Sequence, residues 1–334
     1  MKAFVPLSYN GIGASFGYTM LMRKMMTAAV KAGLGLDIDA DIALQIMPPF
    51  LFQIWRFKTN ILFTMFEFDK IPSQWEQFLD KADSIIVPCT DNKKIFSAAT
   101  KTHIDICPLG VDAKQFTYAE REKKEPFTFM FVGDDSKRKG TRHIAEAWTL
   151  WNKRYPELSD KTHLVMKMTS YYKEPKLEQV TENCFLDYRI LPNEEVEGCD
   201  LPTLTAVYHY AHCLLWPTMG EGWGLPLCEA MSTGLPCIYT PYGGTNDIAS
   251  EDYAYPVEYE MKEMQIMNPE NGDLDPCLAA SAIIESIVDR MHEVYTHYDE
   301  ALEKGLTAAT ATRARFTWEK SADRLLEILE RSIA

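Results

Sequence analysis

An apolar strand that runs into glycines and then an amphipathic helix occurs twice in this chain, and the second occurrence follows a run of charge. The first comprises a strand from Lys2 to Pro6, a loop from Asn10 to Gly17 and a helix from about Thr19 to Ala32. Strands follow at Asn60 to Met65, Ser84 to Val87 and His103 to Cys107, with helical spacing at Ser73 to Lys81 and Asp91 to Ala99. The charged stretch Glu120 to Pro126 reads as a solvated linker. The pattern then restarts with a strand Phe127 to Val132, a loop Gly133 to Gly140 and a helix from Thr141 to about Lys153. It continues with strands His163 to Met168, Cys213 to Pro217 and Pro236 to Thr240, and a helix Leu225 to Ser232. Alternation of this kind builds parallel sheets, so the reading is an α/β chain of two Rossmann-like units. The expected boundaries are 1–118, 119–314 and a closing segment 315–334. That segment is an amphipathic helix from Thr317 to Ile333 with a stripe through Ala322, Leu325, Leu326, Ile328 and Leu329.

Composition narrows the function classes. A chain of 334 residues, 46% hydrophobic, buries a sizeable core. Its net charge of −14 argues against a surface built for a nucleic-acid backbone or an anionic membrane. Eight cysteines without a C-x-x-C pair lie mostly in apolar runs, as buried thiols of a reducing compartment do. No stretch has the length of a membrane-spanning helix and no leader pattern opens the sequence, so the expectation is a cytoplasmic protein.

The segment Trp216 to Met231 carries the most chemistry. A strand ends at Pro217, glycines 220, 222 and 224 form a turn, and a helix starts near Leu225. Backbone amides of Gly222, Trp223, Gly224 and Leu225 at a helix start suit a diphosphate, with help from the helix dipole. Glu221 and Glu229 would both repel phosphate, but each accepts hydroxyl groups, which a nucleotide sugar offers on either side of its diphosphate. Glu221 then holds the sugar and Glu229 the ribose. For either glutamate alone a capping or solvated role is the simpler reading; the pair with its glycines favours the ligand.

The run Glu221 to Glu229 resembles the glutamate-x7-glutamate motif of the GT-B retaining glycosyltransferases of family four, also called glycosyl transferases group 1. Thr64 to Glu67, Ala82 to Pro88, Pro108 to Asp112, Phe131 to Gly133, Lys139-Gly140 and Pro241 to Thr245 fall in the order that family shows. The resemblance implies an acceptor domain, then a donor domain, then a terminal helix crossing back to the first. It also implies transfer with retention, no metal and no cofactor beyond a nucleotide-diphosphate sugar, a UDP- or GDP-sugar. In the family a basic pair in the first turn of the donor domain contacts the diphosphate. Lys139 matches the lysine. The arginine position, just after Gly133, holds Asp134, and Arg138 from the same loop is the substitute. Gly243 and Gly244 allow close approach to the transferred sugar, or simply form a tight turn. Gly11 and Gly13 lie in the opening turn that faces the donor phosphates in the family, although their spacing misses G-x-G-x-x-G. No histidine precedes His103, so Glu67 and Asp69 are the acceptor-side candidates, with a capping role as their alternative.

Other polar and aromatic residues read as structural. His209 and His212 lack a third ligand, and Trp148, Trp151 and Trp216 read as core. The predicted partners are a nucleotide sugar and a saccharide or glycoconjugate acceptor; peripheral membrane contact stays open. Three other readings share these features: transfer to modified DNA bases, disfavoured by the charge; nucleotide-sugar epimerisation, which needs no acceptor; and a non-catalytic nucleotide-sugar-binding module.

Overall fold

A computed structural model describes residues 1–6, 16–169, 176–189, 202–267 and 274–333. The first half runs β1 (Lys2–Ala3), α1 (Phe16–Lys31), β2 (Gly35–Leu36), β3 (Ile42–Ile46), β4 (Thr59–Phe63), α2 (Glu76–Leu79), β5 (Ser84–Val87), α3 (Thr90–Ser97) and β6 (Ile104–Ile106). Strands β3 to β6 pair in parallel in sequence order, β1 pairs in parallel with β2, and Phe4 bridges to Ala43 of β3. All residues of β3 and β5 are buried, as parallel strands covered on both faces must be.

The second half runs β7 (Phe127–Asp134), α4 (Thr141–Arg154), β8 (Thr162–Thr169), β9 (Leu177–Thr181), β10 (Cys184–Asp187), α5 (Leu204–Tyr210), β11 (Cys213–Trp216), α6 (Leu225–Ser232), β12 (Cys237–Tyr239), α7 (Thr245–Ile248) and β13 (Tyr255–Pro256). A hairpin of β14 (Tyr259–Met267) and β15 (Leu274–Ala282) follows, then α8 (Ile284–Thr296), α9 (Tyr298–Arg315) and α10 (Trp318–Arg331). The seven-stranded sheet has the order β13-β12-β11-β7-β8-β10-β9, and only β9 pairs antiparallel. The order reverses at β7, so β7 and β11 lie side by side and their carboxyl ends flank the position where such sheets take ligands.

The amphipathic α10 packs on α1 of the first half, with Ala322, Leu325, Ile328 and Leu329 buried and Leu326 partly so. Thr317 caps it by accepting the Lys320 amide. Asp105 of β6 accepts from Arg331 at 2.9 Å and Arg324 at 3.4 Å, which fixes the helix along the first sheet. Where the chain crosses, Val111 bridges to Thr317, and a Cβ on Gly110 would collide with the backbone of Thr317 and Trp318.

Several elements differ from the sequence reading. The strand expected over Lys2 to Pro6 shrinks to two residues and one bridge, because its partner β2 is equally short and Pro6 has no amide to donate. The helix expected from Ser73 splits into a 3-10 turn at Ser73–Trp75 and the single turn of α2. Within the charged linker, residues 122–125 are exposed as expected, but the Arg121 guanidinium turns inward to the carbonyls of Thr233 (2.6 Å) and Ala119 (2.9 Å).

The β14–β15 hairpin had no counterpart in the sequence reading. It lies across both halves: Leu278 donates to Asp69, Ala280 donates to the Met219 carbonyl, and Cys277 and Ala279 join the core around Phe66 and Phe68. No helix among the described residues is long and apolar enough to cross a membrane.

Candidate active site

Strand β7 ends at Gly133-Asp134, and the Asp134 carboxylate accepts the Ser136 amide at 2.9 Å. This Asx turn leads into a 3-10 turn at Lys137–Lys139 that closes on Gly140, whose φ is +73°. A Cβ at Gly140 would collide with the Pro217 carbonyl, so only glycine brings this turn against the end of β11. The Arg138 carbonyl accepts the Met219 amide at 2.7 Å, and a bond is thereby made between the two turns at the mouth of the sheet.

That contact assembles a buried ionic knot. Lys139 Nζ lies 2.7 Å from Glu221 Oε1, and Arg138 Nη1 lies 3.3 Å from Glu221 Oε2. Arg138 Nη1 also donates to the Gly220 carbonyl at 2.8 Å, and its Nη2 is 3.6 Å from Glu67 Oε1. Lys139 stands over the Trp216 ring, 5.2 Å from its centroid. Glu221 is 5% exposed and Lys139 9%. Burial opposes the Arg138 charge, but Glu221, Glu67 and Asp134 together hold its pKa above the ordinary arginine value. Asp134 is pulled below the usual carboxylate range: burial works against this, and the bonds from Ser136 and the charges of Lys139 and Arg138 prevail. The acidic residue in the place of an expected arginine thus shapes the turn that delivers Arg138 and Lys139. Lys137 is exposed.

Glu229, on the second turn of α6, has a different environment. Its Oε2 accepts from the Tyr208 hydroxyl of α5 at 2.9 Å. Burial pushes its carboxyl up to about 7, opposed by the Tyr208 bond and by the charge of Lys24 on α1. Tyr208 was not anticipated from sequence, where nothing marks a tyrosine 21 positions away as a glutamate's partner.

The glycines are used mainly for backbone packing. The Gly222 carbonyl accepts from Cys89 Sγ at 3.3 Å, and a Cβ on Gly222 would press on Met65 at 3.0 Å. Gly224 adopts φ +119° at the start of α6. Gly243, at φ +73°, sits with its Cβ direction 2.6 Å from the Glu221 carbonyl, and the Gly244 amide donates to that carbonyl at 2.8 Å. Gly243 and Gly244 therefore buttress the Glu221 turn from behind. Trp223 is buried edge-on against Phe316 at 5.2 Å, so its side chain serves the core. Leu225 is the first residue of α6, and Gly133 the penultimate residue of β7.

On the first half, Glu67 enters the knot, whereas Asp69 is taken up by the Leu278 amide at 2.6 Å. The first half adds a contact that the sequence did not suggest: Asp247 accepts the amide and hydroxyl of Thr90 at 2.8 and 3.0 Å, which caps α3 from the opposite half. Gly11 and Gly13 lie outside the described residues. His212 accepts the Thr128 amide through Nδ1, stacks on Phe127, and is held down to about 4 by burial; His209 Nε2 is 2.8 Å from the Thr117 carbonyl. Trp148, Trp151 and Trp216 are all buried.

The backbone trace is similar to that of Anabaena HepE, a structure in complex with UDP-glucose, at a TM-score of 0.69 with 8% identity over 99% of each chain. It is also similar to sucrose-phosphate synthase from Thermosynechococcus elongatus, at 0.65 and 14% identity over 96% of this chain and 80% of that one. The fold is GT-B. Residues 126–265 match the family model described as glycosyl transferases group 1, a span that takes in β7, Arg138, Lys139, Glu221 and Glu229 but not Glu67. Among curated proteins, the D-inositol 3-phosphate glycosyltransferase of Pseudarthrobacter chlorophenolicus is 30% identical over 149 residues, 42% of this chain and 34% of that protein. The protein of the same description from Paenarthrobacter aurescens is 27% identical over 156 residues, 44% and 37% of the two chains. The matches thus span about a third of the length of these relatives.

Proposed function

We propose that this protein is a retaining, metal-independent glycosyltransferase that moves a sugar from a nucleotide-diphosphate sugar to a saccharide or glycoconjugate acceptor. The observation that carries the reading is the buried Lys139–Glu221–Arg138 knot at the carboxyl ends of β7 and β11, eight residues before Glu229 on the following helix. Two cations fixed at the mouth of a parallel sheet and beside a helix start suit a diphosphate. The likeness to a protein solved with UDP-glucose, and the match to group 1 glycosyltransferases over residues 126–265, support a sugar nucleotide, with UDP- or GDP-sugars as first choices.

In this reading residues 119–314 hold the donor, residues 1–118 shape the acceptor site and residues 315–334 tie the two together. Glu221 accepts hydroxyls of the transferred sugar and Glu229 those of the ribose, while amides of residues 222–225 face the diphosphate. The bond from the anomeric carbon to the phosphate oxygen breaks, and a bond to the acceptor oxygen forms on the same face. The acceptor's proton passes to the departing phosphate oxygen. Arg138 and Lys139 neutralise the charge that grows on that diphosphate.

A thermal-shift panel of UDP, GDP, ADP and their sugar conjugates on wild type and Glu229→Ala tests the donor site. At 100 times its dissociation constant the correct nucleotide stabilises the fold by about 2.7 kcal/mol, and Glu229→Ala weakens that response. A panel in which no nucleotide shifts wild type would sink the reading.

A further inference from the structure

The ionic knot is balanced in a way that bears on how a donor enters, an inference that rests on the donor site proposed above. Each cation already has an anionic partner: Lys139 is matched by Glu221, and Arg138 is shared between Glu221 at 3.3 Å and Glu67 at 3.6 Å. A diphosphate brings further negative charge to a partly buried place, so a carboxylate must give way for a phosphate oxygen to reach Arg138.

The two carboxylates are not equally held. Glu221 is deeply buried, bonded to both cations, and has its carbonyl fixed by the Gly244 amide. Glu67 belongs to the opposite half, its side chain is 31% exposed, and the contact to Arg138 is its one ion pair among the described residues. Its backbone lies flush against Gly220, where a Cβ would collide with the Glu67 carbonyl, so the residue stays at the knot while its carboxylate is free to turn. Arg138 is equally constrained, since its carbonyl is tied to the Met219 amide and its Nη1 to the Gly220 carbonyl. The Nη2 edge, which faces Glu67, makes no backbone hydrogen bond among the described residues, so it can change partners without breaking the turn.

We infer that Glu67 is an internal competitor for the donor diphosphate, a positioning residue that aims the Arg138 guanidinium across the cleft and surrenders it to phosphate when the donor binds. The exchange links donor binding to the contact between the halves, and it releases a carboxylate on the acceptor side of the cleft at the moment the donor is in place.

The test is a double-mutant cycle by isothermal titration of the full chain, with inorganic pyrophosphate and the best nucleoside diphosphate as probes. Glu67→Gln keeps the size of the side chain and removes its charge, and both probes bind it about two- to fivefold more tightly than wild type, the range of a partly exposed ion pair. In an Arg138→Ala background the same substitution leaves the dissociation constants unchanged, because the competitor acts only through Arg138. A purely structural Glu67 would weaken binding in both backgrounds, and that result overturns the inference. So does tightening of equal size in both, which reports a general change in charge. Nucleotide binding to wild type that is indifferent to Glu67→Gln removes the inference and leaves the proposed function standing. Absence of binding by both probes to all four proteins removes both.

Discussion

Glu221 in the turn before α6 and Glu229 in its second turn are only eight residues apart, yet their surroundings are opposite in kind. Glu221 is clamped by two cations within 3.3 Å and is almost wholly buried. Glu229 has a tyrosine hydroxyl as its hydrogen-bond partner, feels Lys24 only at a distance, and has its carboxyl raised to about 7 by burial. The first carboxylate therefore belongs to the scaffold that holds the cations, whereas the second is destabilised as an anion by its burial. In the function proposed above, the first is a group fixed in advance and the second a group that the ribose hydroxyls would complete.

The same conservative change should act oppositely at the two positions. Glu221→Gln leaves Lys139 and Arg138 facing a neutral amide inside the protein, and about 3 kcal/mol of stability is lost by urea denaturation at pH 7. Retention of full stability would show that the knot is incidental. The backbone under the knot is the next largest effect. Gly140→Ala forces a side chain into φ +73° and against the Pro217 carbonyl, so a loss of about 2 to 3 kcal/mol is expected, with weakened nucleotide binding as Lys139 shifts.

Glu229→Gln has the reverse sign in alkaline solution. The folded chain holds the Glu229 proton up to about pH 7, against an ordinary value of 4.5, so the stability this group contributes is fully present below 4.5 and is lost as pH rises through 7. Relative to Glu229→Gln, wild type should lose on the order of 2 to 3 kcal/mol between pH 4.5 and 8. Parallel stability curves for the two proteins would place Glu229 outside this account. For the same reason, nucleotide binding near pH 6.5 should release protons, visible as a buffer-dependent enthalpy. The smallest effect is Tyr208→Phe, which removes the hydrogen bond to the carboxylate and costs about 1 kcal/mol at pH 8, with little change at pH 5.

Local signals carried much of this into the sequence. Strand β5 and helix α6 have the bounds that apolar runs and turn residues indicated, and Thr317 caps α10 as its hydroxyl and the stripe behind it imply. The glycine turn around Glu221 was legible because strand, glycines and helix are contiguous. The partner of Glu229 was not, because Tyr208 meets it only after α5 and α6 pack together. The hairpin β14–β15 was missed for a similar reason: what fixes it is the pairing of Leu278 with Asp69 and of Ala280 with Met219, both remote in sequence. Asp134 looked like the loss of a phosphate contact, although an aspartate two residues before a serine also signals the Asx turn that the structure forms.

Transfer with retention at the Glu221 site is tested by incubating the chain with the sugar nucleotide that stabilises it most and following, by proton NMR, nucleoside diphosphate release and the anomer of the transferred or hydrolysed sugar. Wild type is expected to release nucleoside diphosphate, with an anomer of the same configuration as the donor's appearing first, and Glu221→Gln to release it at least about a hundredfold more slowly. The inverted anomer appearing first, or release unaffected by Glu221→Gln, would contradict this expectation.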